Sequence, residues 1–219
     1  MSDKALTRAA FGARGTGKTA WVKATIAADK PARLAVWDFK HDPSLHDMGT
    51  PYASLSECMQ AMRGKRFAVR YLVDHTKDVH AQFELFCQAA WVVGDLLVFV
   101  DELPEVTKAN RAPPAWRRLV NVGREYQHGG KVKRVAIIGA GQRPAECDKT
   151  FIANCDVVHC GRLGDFADAA KMARTWGIDQ RELAALPDLH WIEKRAESPE
   201  LVRGVLTFRN GRPVVKPAP

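Results

Sequence analysis

Six short runs of the chain are apolar at nearly every position: "TRAAF" (7–11), "RLAVWD" (33–38), "FAVRYL" (67–72), "DLLVFVD" (95–101), "RVAIIGA" (134–140) and "DVVHCG" (156–161). The two clearest, 95–101 and 134–140, show no polar alternation, which is the mark of a strand covered on both faces, as a parallel sheet between helices requires. The intervening stretches have helical character. Residues 17–28 lack an internal proline or glycine after the first position, 78–93 place Val79, Phe83, Phe86 and Ala90 at helical spacing, and 114–127 read as a basic helix. Strands alternating with helices of this length predict an α/β doubly wound fold, a mostly parallel sheet flanked by helices. The last forty residues change period. "LHWIEKR" and "VRGVLTFRN" alternate every second residue around "AESPEL", which predicts a β-hairpin at the sheet edge, and the Pro-rich "NGRPVVKPAP" reads as a loosely held tail. Residues 1–187 are therefore expected to form the core, with 188–219 a hairpin and tail of the same domain.

Composition narrows this picture only a little. A chain of 219 residues, 46% hydrophobic, suits one domain with a real core. Thirty-three Lys and Arg against 25 Asp and Glu give +8, which permits a polyanionic partner without requiring one. Cys58, Cys87, Cys147, Cys155 and Cys160 are scattered with no C-x-x-C, so buried reduced thiols and a reducing compartment are expected rather than zinc or disulfides. The first twelve residues lack the apolar stretch of a signal peptide, and the longest strongly apolar run, 91–100, is interrupted by Asp95. No membrane span is expected, since one needs about 18 to 20 such residues.

Chemistry enters at "GARGTGKT" (12–19), which fits G-x-x-x-x-G-K-[ST] between a strand and a helix. Gly12, Gly15 and Gly17 let the backbone of Gly12, Ala13, Arg14, Gly15, Thr16 and Gly17 curl so that N–H groups point at phosphate oxygens. The helix N-terminus adds its positive end. Lys18 is expected at the β- and γ-phosphates and the Thr19 hydroxyl on Mg²⁺. Asp101 ends an apolar strand where such a site needs a carboxylate for the metal, and Glu102 follows where a general base can activate water. Gln142 ends the next apolar strand, at the edge where ligands bind in open α/β sheets. The adjacent Asp101 and Glu102 favour hydrolysis of a nucleoside triphosphate over transfer to a substrate hydroxyl.

The order of these motifs, phosphate loop, "VWDFKHDP", "VFVDE", "VGREYQHGG", "GAGQRP" and "ANCDVVHCGRLGDFADA", resembles the HerA/FtsK superfamily of RecA-like DNA-pumping ATPases over residues 7–176. Within it the chain is most similar to the short packaging ATPases of tailless, membrane-containing double-stranded DNA phages. The resemblance implies a RecA-like P-loop fold, ATP and Mg²⁺, and a ring, usually a hexamer, that moves double-stranded DNA into a capsid. It implies that Asp38 lines the active site and that Arg124 reaches the neighbouring subunit's nucleotide. It also implies work in the host cytoplasm or at a virion vertex, docked on capsid or other virion proteins.

Larger relatives carry extra domains that this sequence lacks, so DNA contacts are expected from the motor's own loops. Lys108, Arg111, Arg117 and Arg118, with Trp116 among them, and Lys131 and Lys133 can bind phosphates without reading sequence. Trp21, Trp37, Trp91, Trp176 and Trp191 are expected to pack, His159 to be a core residue, and Asp168 and Lys171 to lie on a solvated helix face. Competing functions are a filamentous-phage assembly ATPase of the zonular occludens type, a small-molecule kinase, and a cellular DNA pump or conjugation coupling factor.

Overall fold

β1 (Thr7–Phe11) leads through the phosphate loop into α1 (Lys18–Asp29), and β2 (Arg33–Asp38) returns beside it in the computed structural model, which describes residues 5–217. A 3-10 turn (Pro43–Leu45), β3 (Thr50–Tyr52), α2 (Leu55–Ala61) and β4 (Phe67–Leu72) follow. Next come α3 (Val79–Val93), β5 (Leu96–Val100), α4 (Leu103–Val106) and α5 (Pro114–Val122). β6 (Tyr126–His128) and β7 (Lys131–Lys133) form a separate hairpin, and β8 (Val135–Gly141), α6 (Lys149–Asn154), β9 (Val157–Cys160), α7 (Phe166–Trp176) and α8 (Gln180–Ala184) complete the alternating part. β10 (His190–Arg195), β11 (Leu201–Arg209) and β12 (Arg212–Pro217) end the chain.

One sheet has the order β12-β11-β10-β9-β1-β8-β5-β2-β4-β3. The strands from β9 to β3 run parallel, and β10, β11 and β12 are added antiparallel. The unbroken apolar strands serve two cores. Val98 and Val100 of β5 pack with Trp37, Phe83, Phe86, Trp116 and Phe151 on one face. Leu97 and Phe99 pack with Trp21, Val22, Val36, Trp191 and Leu206 on the face that α1 covers. Each large side chain so buried contributes about 1.5–3 kcal/mol.

Three expectations change. The C-terminal hairpin is a three-stranded unit, because most of the Pro-rich tail forms β12, paired with β11 from Gly204↔Pro217 to Arg209↔Arg212. β12 is an edge strand, where a proline does not break a ladder that continues beyond it. Residues 218–219 lie outside the described residues. The helix expected over 114–127 stops at Val122, and Tyr126 belongs to the β6–β7 hairpin, closed by a Gly129-Gly130 turn. The Tyr126 ring stacks on Trp91 at 3.7 Å and its hydroxyl donates to the Trp91 carbonyl, a tertiary contact that outweighs the helical pattern. Asp168 is not on a solvated face. It is fully buried in α7 and accepts from Arg143 Nε at 2.6 Å and from the Ala145 N–H at 2.7 Å. Lys171 is half-buried and donates to the Pro144 carbonyl.

The tryptophans expected to pack do so, with Trp91 half-buried. His159 is buried in β9, stacked on Trp21, with Nδ1 3.1 Å from Glu193 Oε1. All five cysteines are buried and unpaired. Among the described residues no helix is long and apolar enough to cross a membrane.

Candidate functional site

The C-terminal ends of β1, β2, β5 and β8, neighbours or near neighbours in the sheet, carry the phosphate loop, Asp38, Asp101–Glu102 and Gln142. In open α/β sheets this is the edge where ligands bind.

The loop from Gly12 to Gly17 is braced from within and from the segment that follows β9. Gly12 has φ 152°, and a Cβ on it would stand 2.5 Å from Thr16 Oγ1, so only glycine fits. Thr16 is buried and its hydroxyl donates to the Ala13 carbonyl, whose own N–H donates to the Arg162 carbonyl at 2.7 Å. α1 starts without a side-chain cap, so its first N–H groups have no capping side chain and are left for a ligand. Lys18 Nζ donates to the carbonyls of Gly12 and Ala13 at 2.8 and 2.9 Å. Burial lowers the Lys18 pKa, while the Glu102 and Asp101 carboxylates pull it back up. Leu189 and Leu206 of the C-terminal unit lie against Gly17, so the antiparallel strands buttress the loop.

Asp101 follows β5 directly, its N–H donating to the Trp37 carbonyl of β2. Burial first, then the charges of Glu102, Asp38 and Asp42, pushes its carboxyl up to about 7. Glu102 is buried at 8% exposure and adopts a left-handed backbone, φ 49°, to turn the chain into α4. A non-glycine residue held there costs about 1 kcal/mol and points to a constrained role. Its Oε1 accepts from Gln142 Nε2 at 2.8 Å and from Lys40 Nζ at 2.8 Å. Gly141 makes this meeting possible, because a Cβ on it would stand 2.5 Å from Pro104 Cδ and force α4 away from β8.

Asp38 is fully buried at the end of β2. Its Oδ2 accepts from Arg70 at 2.7 Å and its Oδ1 from the Asp42 N–H at 3.0 Å, so both oxygens are engaged within the chain. Sequence reasoning missed Lys40 and Arg70. A charged residue inside the apolar run "FAVRYL" was the available signal for Arg70, since a buried guanidinium demands a counter-charge.

The donor set fits Mg²⁺. The Thr19 hydroxyl and the Asp101 carboxylate are hard oxygen donors, and Mg²⁺ takes one or two carboxylates with phosphate and water completing its shell. Among the described residues there is no cluster of three His, Cys, Asp or Glu poised to enclose a metal.

Other expected site residues lie apart. Arg124 sits at the opposite edge of the sheet, beside the starts of β8 and β9, with Nη1 on Asp156 Oδ1 at 2.8 Å and Nη2 on the Asn154 carbonyl at 2.6 Å. Within one chain it does not meet the phosphate loop. Lys108 and Arg111 pair with each other across a tight turn just after α4. Arg117 and Arg118 are exposed on α5, with Arg118 over the Trp91 ring. Lys131 is exposed on β7, and Lys133 spends its ammonium on the Val92 carbonyl at the end of α3. Trp116 is fully buried, its Nε1 on Asp148, and offers nothing to a nucleic acid. The six basic residues thus lie on three elements, the turn after α4, α5 and β7.

No known family profile matches the chain. Protein P9 of Pseudoalteromonas phage PM2 is 26% identical over 208 residues, 90% of this chain and 89% of that protein. The genome packaging NTPase B204 from Sulfolobus turreted icosahedral virus 2, in complex with AMPPCP, superposes with a TM-score of 0.68 at 16% identity, over 91% of this chain and 96% of that one. The N-terminal domain of zonular occludens toxin from Neisseria meningitidis matches at 0.50 and 14% identity, over 94% and 96%. The α/β fold, a mostly parallel sheet flanked by helices with antiparallel strands at its C-terminal end, is therefore shared with a viral packaging NTPase along nearly the whole chain, as the motif order implied.

Proposed function

We propose that this chain is an ATP-hydrolysing motor that translocates double-stranded viral DNA into a preformed capsid. The observation that carries the reading is the convergence of the phosphate loop, Asp101, Glu102 and Gln142 on one edge, with Glu102 held on Gln142. The loop N–H groups and Lys18 hold the triphosphate, Lys18 exchanging its two loop carbonyls for phosphate oxygens. Thr19 and Asp101 would hold Mg²⁺, which would supply neutralisation of the phosphate charge. Glu102 accepts the proton of the attacking water, and Gln142 orients that water towards the γ-phosphorus; ADP and phosphate leave.

α4 begins directly after Glu102 and the Lys108–Arg111 turn follows α4, so a movement at the catalytic carboxylate passes to basic side chains that can grip DNA phosphates. Such contacts are independent of sequence, as a packaging motor needs. Arg124 completes the site only from a neighbouring copy, which calls for a ring, hexameric by the resemblance. The ring works in the host cytoplasm or docked at a virion vertex on capsid proteins. The B204 NTPase, solved with ATP-gammaS and with AMPPCP, supports ATP as the ligand of this fold. The likeness to zonular occludens toxin keeps one second reading, a filamentous-phage assembly ATPase. Glu102 beside Asp101 disfavours a kinase.

The test is ATP hydrolysis with and without double-stranded DNA at two salt concentrations. Stimulation that fades with salt supports the packaging motor, because phosphate contacts release counterions. Hydrolysis indifferent to DNA moves the weight to virion assembly.

A further inference from the structure

We infer that Lys40 is a positioning residue for the catalytic carboxylate. Lys40 fixes Glu102 Oε1 from the turn after β2, so that Glu102 Oε2 is the oxygen presented to water. The inference rests on the ATPase reading.

The turn that carries Lys40 is a built platform. At its start Asp38 is tied to Arg70, with side chains 0% and 10% exposed. Its carboxylate also holds the Asp42 N–H, which closes the turn. His75 Nε2 lies 2.7 Å from the Phe39 carbonyl, and His41 Nε2 lies 2.8 Å from the Val73 carbonyl. The Val73 N–H donates to the Asp38 carbonyl. A lysine free at a surface would need none of this, and exposed ion pairs are worth little. Here the Lys40 side chain is 48% exposed, yet its ammonium bonds a carboxylate only 10% exposed.

Both donors take the same oxygen. Lys40 Nζ and Gln142 Nε2 each stand 2.8 Å from Glu102 Oε1, and among the described residues no donor reaches Oε2. A carboxylate pinned through one oxygen cannot rotate freely, so its other oxygen keeps a fixed direction. Supports of this kind, acting through another side chain, commonly change activity by about 10- to 100-fold when removed from metal sites. Orientation within a fraction of an ångström is what a general base requires.

The experiment compares wild type, Lys40→Met, Lys40→Arg, Glu102→Gln and the Lys40→Met/Glu102→Gln double variant in steady-state ATP hydrolysis. Lys40→Met should lower kcat about 10- to 100-fold with KM changed less than about two-fold. Lys40→Arg should recover most of the loss. In the Glu102→Gln background Lys40→Met should change nothing further, since the two residues act as one unit. A raised KM with unchanged kcat would overturn the inference and place Lys40 on the nucleotide. So would equal, multiplicative losses in both backgrounds. If wild type hydrolyses ATP and Lys40→Met matches it, only this inference falls. If wild type hydrolyses no ATP, the ATPase reading falls first and carries this one with it.

Discussion

Arg70 Nη1 stands 2.7 Å from Asp38 Oδ2, and both side chains are buried on the α1 face of the sheet, one on β4 and the other at the end of β2. Removing one partner of such a pair leaves a charge out of water with no compensation, whereas removing both can be nearly neutral. Arg70→Met should therefore destabilise the fold by about 3–5 kcal/mol, and Arg70→Met/Asp38→Asn should recover a large part of that loss. Urea unfolding of the two variants checks it. Additive costs would mean that the pair is not coupled.

Lys18 and Glu102 should separate binding from chemistry. Lys18→Ala removes the cation proposed to meet the phosphates and should abolish binding of a non-hydrolysable ATP analogue, followed by calorimetry. Glu102→Gln keeps the shape of the site and should bind the analogue as wild type does, while turnover falls by about 10²- to 10⁴-fold. Turnover retained in Glu102→Gln would assign the base elsewhere.

Arg124 has two possible roles that one pair of measurements can tell apart. Its pair with Asp156 is partly exposed, 41% and 20%, and such a pair contributes at most about 1 kcal/mol. Arg124→Ala should thus leave the melting temperature almost unchanged but lose ATP turnover. Mixing it with Lys18→Ala should restore some activity, because one mixed interface then has an intact loop and an intact arginine. Normal turnover by Arg124→Ala would leave it a structural residue only.

Acid should loosen the contact between α1 and the C-terminal strands. Glu193 Oε1 accepts from Trp21 Nε1 at 2.8 Å and lies 3.1 Å from His159 Nδ1. Burial lowers the His159 pKa against the pull of Glu193, so the unfolded chain takes up this proton more readily than the folded one. The Glu193 pKa is lowered as well: burial opposes this, but hydrogen bonds from His159, Trp21 and Arg195 and the His159 charge outweigh it. Both shifts act in the same direction. Stability is full above about pH 6.5, the unfolded histidine value, and falls as pH drops below it, with Glu193 adding to the loss below about pH 4.5. Melting temperatures of wild type and His159→Gln between pH 5 and 8 test the first step, which should flatten in the variant.

Much of the site was legible because its chemistry is local. The loop from Gly12 to Thr19 encodes its curl, its donors and its helix start within eight residues, and an apolar strand ending in Asp101–Glu102 announces itself without any knowledge of its neighbours. The six principal strands follow from the same short-range signal, since burial on both faces leaves an unbroken apolar run. What the chain could not reveal by itself is which strand ends meet. Lys40 and Glu102 are 62 residues apart, Gln142 and Glu102 are 40 apart, and Asp38 and Arg70 are 32 apart. Those contacts exist because β2 lies between β5 and β4, and β8 between β1 and β5. The same global packing ends the basic helix at Val122, where Tyr126 finds Trp91, buries Asp168 against Arg143, and turns a Pro-rich tail into a tenth strand. Periodicity is set by each residue's nearest neighbours, whereas strand order is set by how two hydrophobic cores close around one sheet, and that only the tertiary structure decides.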